Sequence, residues 1–160
     1  MATFSDLPLK YRLQMAVYRW RRIDDTPWTA PRAPLENARV ALVTSAGLYR
    51  PDIDPPFRSM AGGDYGFRVL PDDVDLDGLA VGQTSRAFDR EPIRRDRNIA
   101  LPLDRLHRLV EDGVVGQSAS RHLSFNGSIT APGRLVGRSG PEMATVLRDD
   151  GVDVALLVPI

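Results

Sequence analysis

Six residues of this chain pair a reactive or ligand-holding side chain with a suggestive position: Ser45, Asp64, Arg68, Asp96, Asn98 and His122. Ser45 lies at the end of the first expected strand, in VALVTSAG, an apolar run followed by small residues. A hydroxyl there, beside backbone N–H groups, can hold a carboxylate or phosphate. It can equally satisfy its own turn. Asp64 follows Gly62-Gly63 and precedes Arg68. An acid and a cation on a pliable loop can clamp a zwitterion, or form a plain ion pair. His122, in RHLSFNG, can serve as a general acid or base near neutral pH, or as a hydrogen-bonded structural histidine. His107, between Leu106 and Arg108, is expected to be exposed and inert. Asp96, Arg97 and Asn98 lead into a helix, where polar residues cap the first turn or line a site.

The composition removes several chemistries. The chain has no cysteine, so disulfides, thiolate zinc sites and a cysteine nucleophile are absent from its 160 residues. With two histidines, a metal site would lean on carboxylates, and none is expected. Basic and acidic residues balance at 21 each, which leaves no electrostatic footprint for nucleic acid. No apolar run approaches the ~20 residues a membrane helix needs. A cytoplasmic protein is expected.

The elements that would position these residues are punctuated clearly. Leu9, Leu13, Ala16, Val17 and Trp20 repeat at helical spacing, which predicts an amphipathic helix over residues 7–22. A linker over 24–37 holds Pro27, Pro31 and Pro34 and is expected to pin Trp28 to the core. An α/β core follows over 38–160, and the whole chain is expected to form one domain. Val40–Val43, Phe67–Leu70 and Leu79–Val81 read as strands, and REPIRRDRNIA as a charged, exposed run. Pro102 and Gly113 bracket a helix carrying Leu103, Leu106, Leu109 and Val110 on one face. Leu123 and Phe125 suggest an extended segment ending in a turn at Asn126-Gly127.

Ser139 with Glu142 matches a capping box, and Gly151 a helix C-cap. Val152–Val158 is apolar on both faces, as in a central parallel strand. The fold class expected is therefore α/β, a mostly parallel sheet flanked by helices in a Rossmann-like three-layer arrangement, incomplete at its carboxyl end. Ligands of such sheets sit at the carboxyl ends of the strands. The sequence reaches Ile160 where a site loop would begin.

Taken in order, KYRLQMAVYRWRRID, PW, ARVALVTSAGLY, GGDYGFRVLP, AFD, DRNIALPLDRLHRLVEDGVVG, RHLSFNGSI and VDVALLVPI resemble the selenoprotein B family of glycine, sarcosine, betaine and D-proline reductases. The likeness runs over nearly the whole chain and is closest to the short stand-alone members. No single piece is specific, but the ordered set is.

The resemblance implies reductive C–N bond cleavage of an amino-acid-like substrate, with a thiol reductant and reductase subunits as partners. Homo-oligomerisation is left open. The reactive group is a selenocysteine or cysteine, directly after the strand that resembles VALLVPI. A selenol suits the role, because its low pKa leaves it ionised near neutral pH, as in activated low-pKa thiols. It would lie beyond Ile160, as in a gene cut short at its catalytic UGA codon. The family also carries a histidine where Gln83, Thr84 and Ser85 stand here. The alternative is a non-catalytic subunit, ending at Ile160, that holds a small ligand or a partner.

Overall fold

The computed structural model describes residues 3–17, 28–85 and 88–160. The chain divides into two compact units, Met1–Ala30 and Pro31–Ile160. The first holds a 3-10 turn, Phe4–Asp6, and helix α1, Leu9–Val17. Residues 18–22 of the helix expected over 7–22, Trp20 among them, lie outside the described residues, as do 24–27 of the linker. Trp28, expected to be pinned to a core, is exposed.

The second unit is built on strand β1, Arg39–Thr44. Residues 40–44 of this strand are almost wholly buried, because both faces are covered. Val40 and Leu42 pack with Leu70, Leu101, Leu103 and Leu106 on one side, where helix α3, Leu103–Glu111, lies. Val43 packs with Leu123 and Met143 on the other, against helix α4, Gly140–Asp149. This is an α/β arrangement with helices on both faces of one sheet.

Two short strands, β2 at Leu48–Tyr49 and β4 at Ala80–Val81, form a separate antiparallel ribbon. The main sheet is mixed but mostly parallel. β1 pairs in parallel with β5, Gln117–Ser118, and then with β6, Arg121–Phe125. The outer edge of β6 pairs antiparallel with β3, Phe67–Pro71. On its other side β1 pairs in parallel with β7, Val154–Val158, from Val40↔Val154 to Thr44↔Val158. β7 was expected to be central. It is an edge strand: among the described residues nothing pairs with its outer side, and Leu156 and Leu157 are exposed on opposite faces.

The sheet has one gap. β5 meets β1 at Arg39 and Val40, and β6 meets it at Val43 and Thr44. Between them, at Ala119–Ser120, the partner strand breaks. The Leu42 N–H faces that break and donates instead to His122 Nδ1 at 3.0 Å. Because Nδ1 accepts, Nε2 carries the ring proton, and it donates to Asp72 Oδ1 at 2.9 Å. The same oxygen takes hydrogen bonds from His107 Nε2 at 2.8 Å and Ser118 Oγ at 2.5 Å. One carboxylate just after β3 thus ties β5, β6 and α3 together. His107, expected to be inert, is half-exposed and is one of these ties.

Other sequence expectations meet different partners. The run REPIRRDRNIA forms helix α2, Glu91–Arg95, and a 3-10 turn, with Ile93 and Ala100 buried as anchors. The capping box at Ser139 does not form. Ser139 has helical torsions, because a π-helical turn, Leu135–Ser139, runs straight into α4. Its hydroxyl donates to the Tyr65 carbonyl, and Glu142 pairs with Arg138 at 3.0 Å. Gly113 and Gly151 both take positive φ after their helices, as a C-cap requires.

Burial pushes His122 below its ordinary value of 6.5, against the opposing pull of Asp72. Burial alone would raise Asp72, but the bonds from Ser118, His107 and His122 outweigh it and hold the carboxyl below the usual range. Both depressed values have the same sign of linkage. The unfolded chain binds protons more readily, so stability is full above the unfolded values and falls as pH drops. Urea titrations between pH 8 and pH 3 should show a first loss below pH 6.5 from His122, and a second below pH 3.8 from Asp72. His122→Phe should remove the first step and destabilise the protein at pH 8 by about 1–3 kcal/mol, the cost of an orphaned buried Leu42 N–H.

Candidate functional site at the carboxyl edge of the sheet

A second polar cluster lies at the carboxyl ends of β1 and β6. Thr44, Ser45, Gln83, Ser124 and Asn126 are all buried there. β1 ends at Thr44, whose hydroxyl accepts the Ala46 N–H at 3.1 Å and turns the chain. Gly47 completes the turn at φ +67°, and its carbonyl accepts the Gly82 N–H at 2.8 Å. This contact brings the ribbon, and Gln83 after it, to the edge of the sheet.

Ser45 is the hub. Its N–H donates to the Val158 carbonyl at 3.1 Å, and its carbonyl accepts the Gly127 N–H at 2.8 Å. The Gln83 side-chain amide reaches the same carbonyl at 3.4 Å. The Ser45 hydroxyl accepts the Ile160 N–H at 2.8 Å and donates to the Ile160 carbonyl at 3.2 Å. Ser45 therefore grips the backbone that leaves β7. Gly127 permits this closeness: a Cβ there would stand 3.1 Å from Ser45 Cβ, O and Oγ.

Asn126 closes the cluster. Its Nδ2 donates to Thr84 Oγ1 at 3.1 Å, and its Oδ1 accepts the Ser128 N–H at 3.1 Å. Gln83 Oε1 accepts the Ser85 N–H at 3.2 Å. Ser124 Oγ is buried with no hydrogen-bond partner in the structure, although β6 places it beside Thr44. A buried hydroxyl without a partner stands out against the general rule of satisfaction. The cluster is rich in hydroxyl and amide groups and has no charged side chain. It can orient a backbone segment and a polar ligand. It offers no ionised nucleophile or general base of its own.

The remaining candidates lie apart from Ser45 or are engaged elsewhere. Asp64 accepts the Arg58 N–H at 2.7 Å and the Gly66 N–H at 2.8 Å. Arg68 donates to the carbonyls of Pro55, Pro56 and Phe67, and stacks 4.2 Å from the Phe57 ring centroid. The two make no ion pair with each other among the described residues; both pin the loop between β2 and β3. Asp96 caps the turn that follows α2 by accepting the Asn98 N–H at 2.9 Å. Asn98 and Asp104 exchange two hydrogen bonds at the start of α3. His122 is buried in the sheet with both ring nitrogens taken, one by Leu42 and one by Asp72.

Sequence reasoning passed over Asn126 as a turn residue and noted Gln83 and Thr84 only as a departure. The signal for Asn126 was its place directly after a strand, where α/β sheets gather ligand contacts. Among the described residues, no group of three or more acidic or histidine side chains is placed to hold a metal ion. None of their helices is long and apolar enough to cross a membrane.

The fold and the edge cluster define an α/β domain with an uncharged polar site at the end of its parallel strands. Residues 10–159 match the family model for glycine/sarcosine/betaine reductase selenoprotein B. The chain belongs to that family. It is 30% identical over 156 residues to D-proline reductase subunit gamma of Acetoanaerobium sticklandii, covering 96% of this chain and 61% of that protein. It is 28% identical over 126 residues to sarcosine reductase complex component B subunit beta of Peptoclostridium acidaminophilum, covering 77% of this chain and 28% of that one. Glycine reductase complex component B subunit gamma of Symbiobacterium thermophilum is 28% identical over 142 residues, 88% of this chain and 32% of its own length. The chain thus spans less than two thirds of each of these relatives. No solved structure matches it.

Replacing Ser45 by Ala should free the backbone at Ile160 while leaving the sheet intact. In amide exchange followed by NMR, the Ile160 N–H should exchange up to roughly tenfold faster, as expected for one lost hydrogen bond. Amides of Leu42 and Leu123 should keep their protection.

Proposed function

We propose that this chain is a subunit of a reductase complex and that the carboxyl-edge cluster is its working site. The observation that carries the reading is the double hydrogen bond between the Ser45 hydroxyl and Ile160, made inside a buried, uncharged polar cluster. Ser45 fixes the direction in which the backbone leaves β7. Gln83 bonds the Ser45 carbonyl, and Asn126 bonds Thr84 in the same cluster.

A selenolate or thiolate following β7 would supply the chemistry, the reductive cleavage of a C–N bond in an amino-acid-like substrate with electrons from thiols. The cluster fits such a group. It contributes oriented hydroxyl and amide donors, and it contains no carboxylate to repel an anion. The buried Ser124 hydroxyl, without a partner of its own, is a donor available to a ligand there.

A complex also fits the outer edge of β7. Leu156 and Leu157 are exposed on opposite faces, and Leu156 lines an apolar groove of about 240 Å³ with Leu35, Leu106, Leu109 and Val154. Such an edge is a surface for further strands or helices, from the same polypeptide or from another subunit. We place this assembly, as a proposal, in the cytoplasm.

The test is a dithiol-dependent assay of the complex isolated from the source cells, with D-proline, sarcosine and glycine as trial substrates. Amine release or ring opening from one of them, abolished by prior treatment with iodoacetate, is the expected result. Asn126→Ala in the same complex should lower kcat/KM by about tenfold or more if its amide helps shape the site. Saturable binding of a substrate without any thiol-dependent turnover would overturn the reading in favour of a non-catalytic binding subunit.

A further inference from the structure

Beside the carboxyl-edge cluster lies a pocket of about 290 Å³ lined by Val81, Arg90, Arg94 and Arg97. Its position follows from the chain path. β4 ends at Val81, and Gln83 follows at the sheet edge. Arg90 donates to the Gln83 carbonyl, and α2 then carries Arg94 round the same opening.

Among the described residues, Arg90, Arg94 and Arg97 form no ion pair, because nearby carboxylates have other partners or stand apart. Glu91 pairs with Arg95 at 3.1 Å, and neither residue lines the pocket. Asp89 accepts the Glu91 N–H at 2.9 Å, and Asp96 lies 3.8 Å from Arg105. Arg97 also borders an acidic cavity with Asp75, Asp77 and Asp104, yet it forms no ion pair with them. Among the described residues, neither the Arg94 nor the Arg97 side chain has a hydrogen-bond or ion-pair partner. The chain as a whole is electrically balanced. Three guanidinium groups around one small opening are therefore a local concentration of charge that folding alone does not explain. Like charges at this spacing repel unless an anion sits between them.

We propose that Arg90, Arg94 and Arg97 form a binding pocket for a tetrahedral, multiply charged oxyanion, the phosphate group. Guanidinium forks match phosphate oxygens in pairs, and three of them exceed what a single carboxylate charge can balance. Val81 adds one apolar contact, and the pocket's small volume suits a small phosphorylated molecule or free phosphate.

Calorimetric titration at fixed ionic strength tests this, with inorganic phosphate, glycerol phosphate and acetate as probes. Saturable binding of phosphate at a single site is expected, with acetate weaker by about tenfold or more. Tighter binding of glycerol phosphate than of phosphate would assign the site to a phosphorylated small molecule, and the reverse order to the free ion. The Arg94→Gln and Arg97→Gln double variant should lose phosphate binding by about tenfold or more while its circular dichroism and melting stay unchanged. The single Arg94→Gln variant, altering an exposed side chain, should lose a smaller part. Absence of saturation, equal affinity for acetate, or full binding by the double variant would overturn the proposal.

Discussion

The structure hangs on one hydrogen bond that a side chain makes in place of a strand. The partner of β1 breaks between Ser118 and Arg121, and the Leu42 N–H in the most buried strand would be left without an acceptor. His122 supplies it. An imidazole can do this only as the tautomer protonated at Nε2, and Asp72 fixes that tautomer from the other side. The carboxylate is fixed in turn by His107 and Ser118. A polar relay thus replaces a missing rung of the ladder and locks three strands and a helix to it. This is a structural task for a residue type more often considered for proton transfer.

With His122 committed to the sheet, the proposed site lies at the opposite end of the same strands. Directly beyond the Thr44–Ser124 pairing, the chain is turned by small residues and amide side chains. There Ser45 couples β1 to β7 and β6 through its N–H, carbonyl and hydroxyl. Glycines at 47 and 127 let these backbones approach. The cluster is uncharged, so it orients groups without competing for protons. That character suits a site whose reactive atom is a soft anion held nearby, and the family to which the chain belongs is named for a selenoprotein.

Much of the fold was legible because its signals are local. The β-branched run of β1, the proline and glycine around α3, and Gly151 before β7 each encode their element directly. What was illegible depended on distant partners. β7 has the composition of a central strand, and only the sheet order makes it an edge. Ser139 and Glu142 have capping-box spacing, but a π turn arriving from Leu135 makes Ser139 helical and turns its hydroxyl to Tyr65. Ser45 was visible from strand-end position. Asn126 and Gln83 were not, since their meeting requires the ribbon of β2 and β4 to fold back on Gly47. Asp64 and Arg68 looked like a pair in sequence, but nearby backbone groups claimed both side chains.

The most direct test of the functional reading is the intact mass of the protein isolated from its source cells grown with selenium. The 160 residues alone weigh 17.7 kDa. A heavier species with the isotope pattern of selenium, its selenocysteine mapped directly after Ile160, is the expected result. It would place the reactive group where Ser45 directs the backbone. A mass of 17.7 kDa with no selenium or added thiol would contradict the reading and leave a binding subunit in its place.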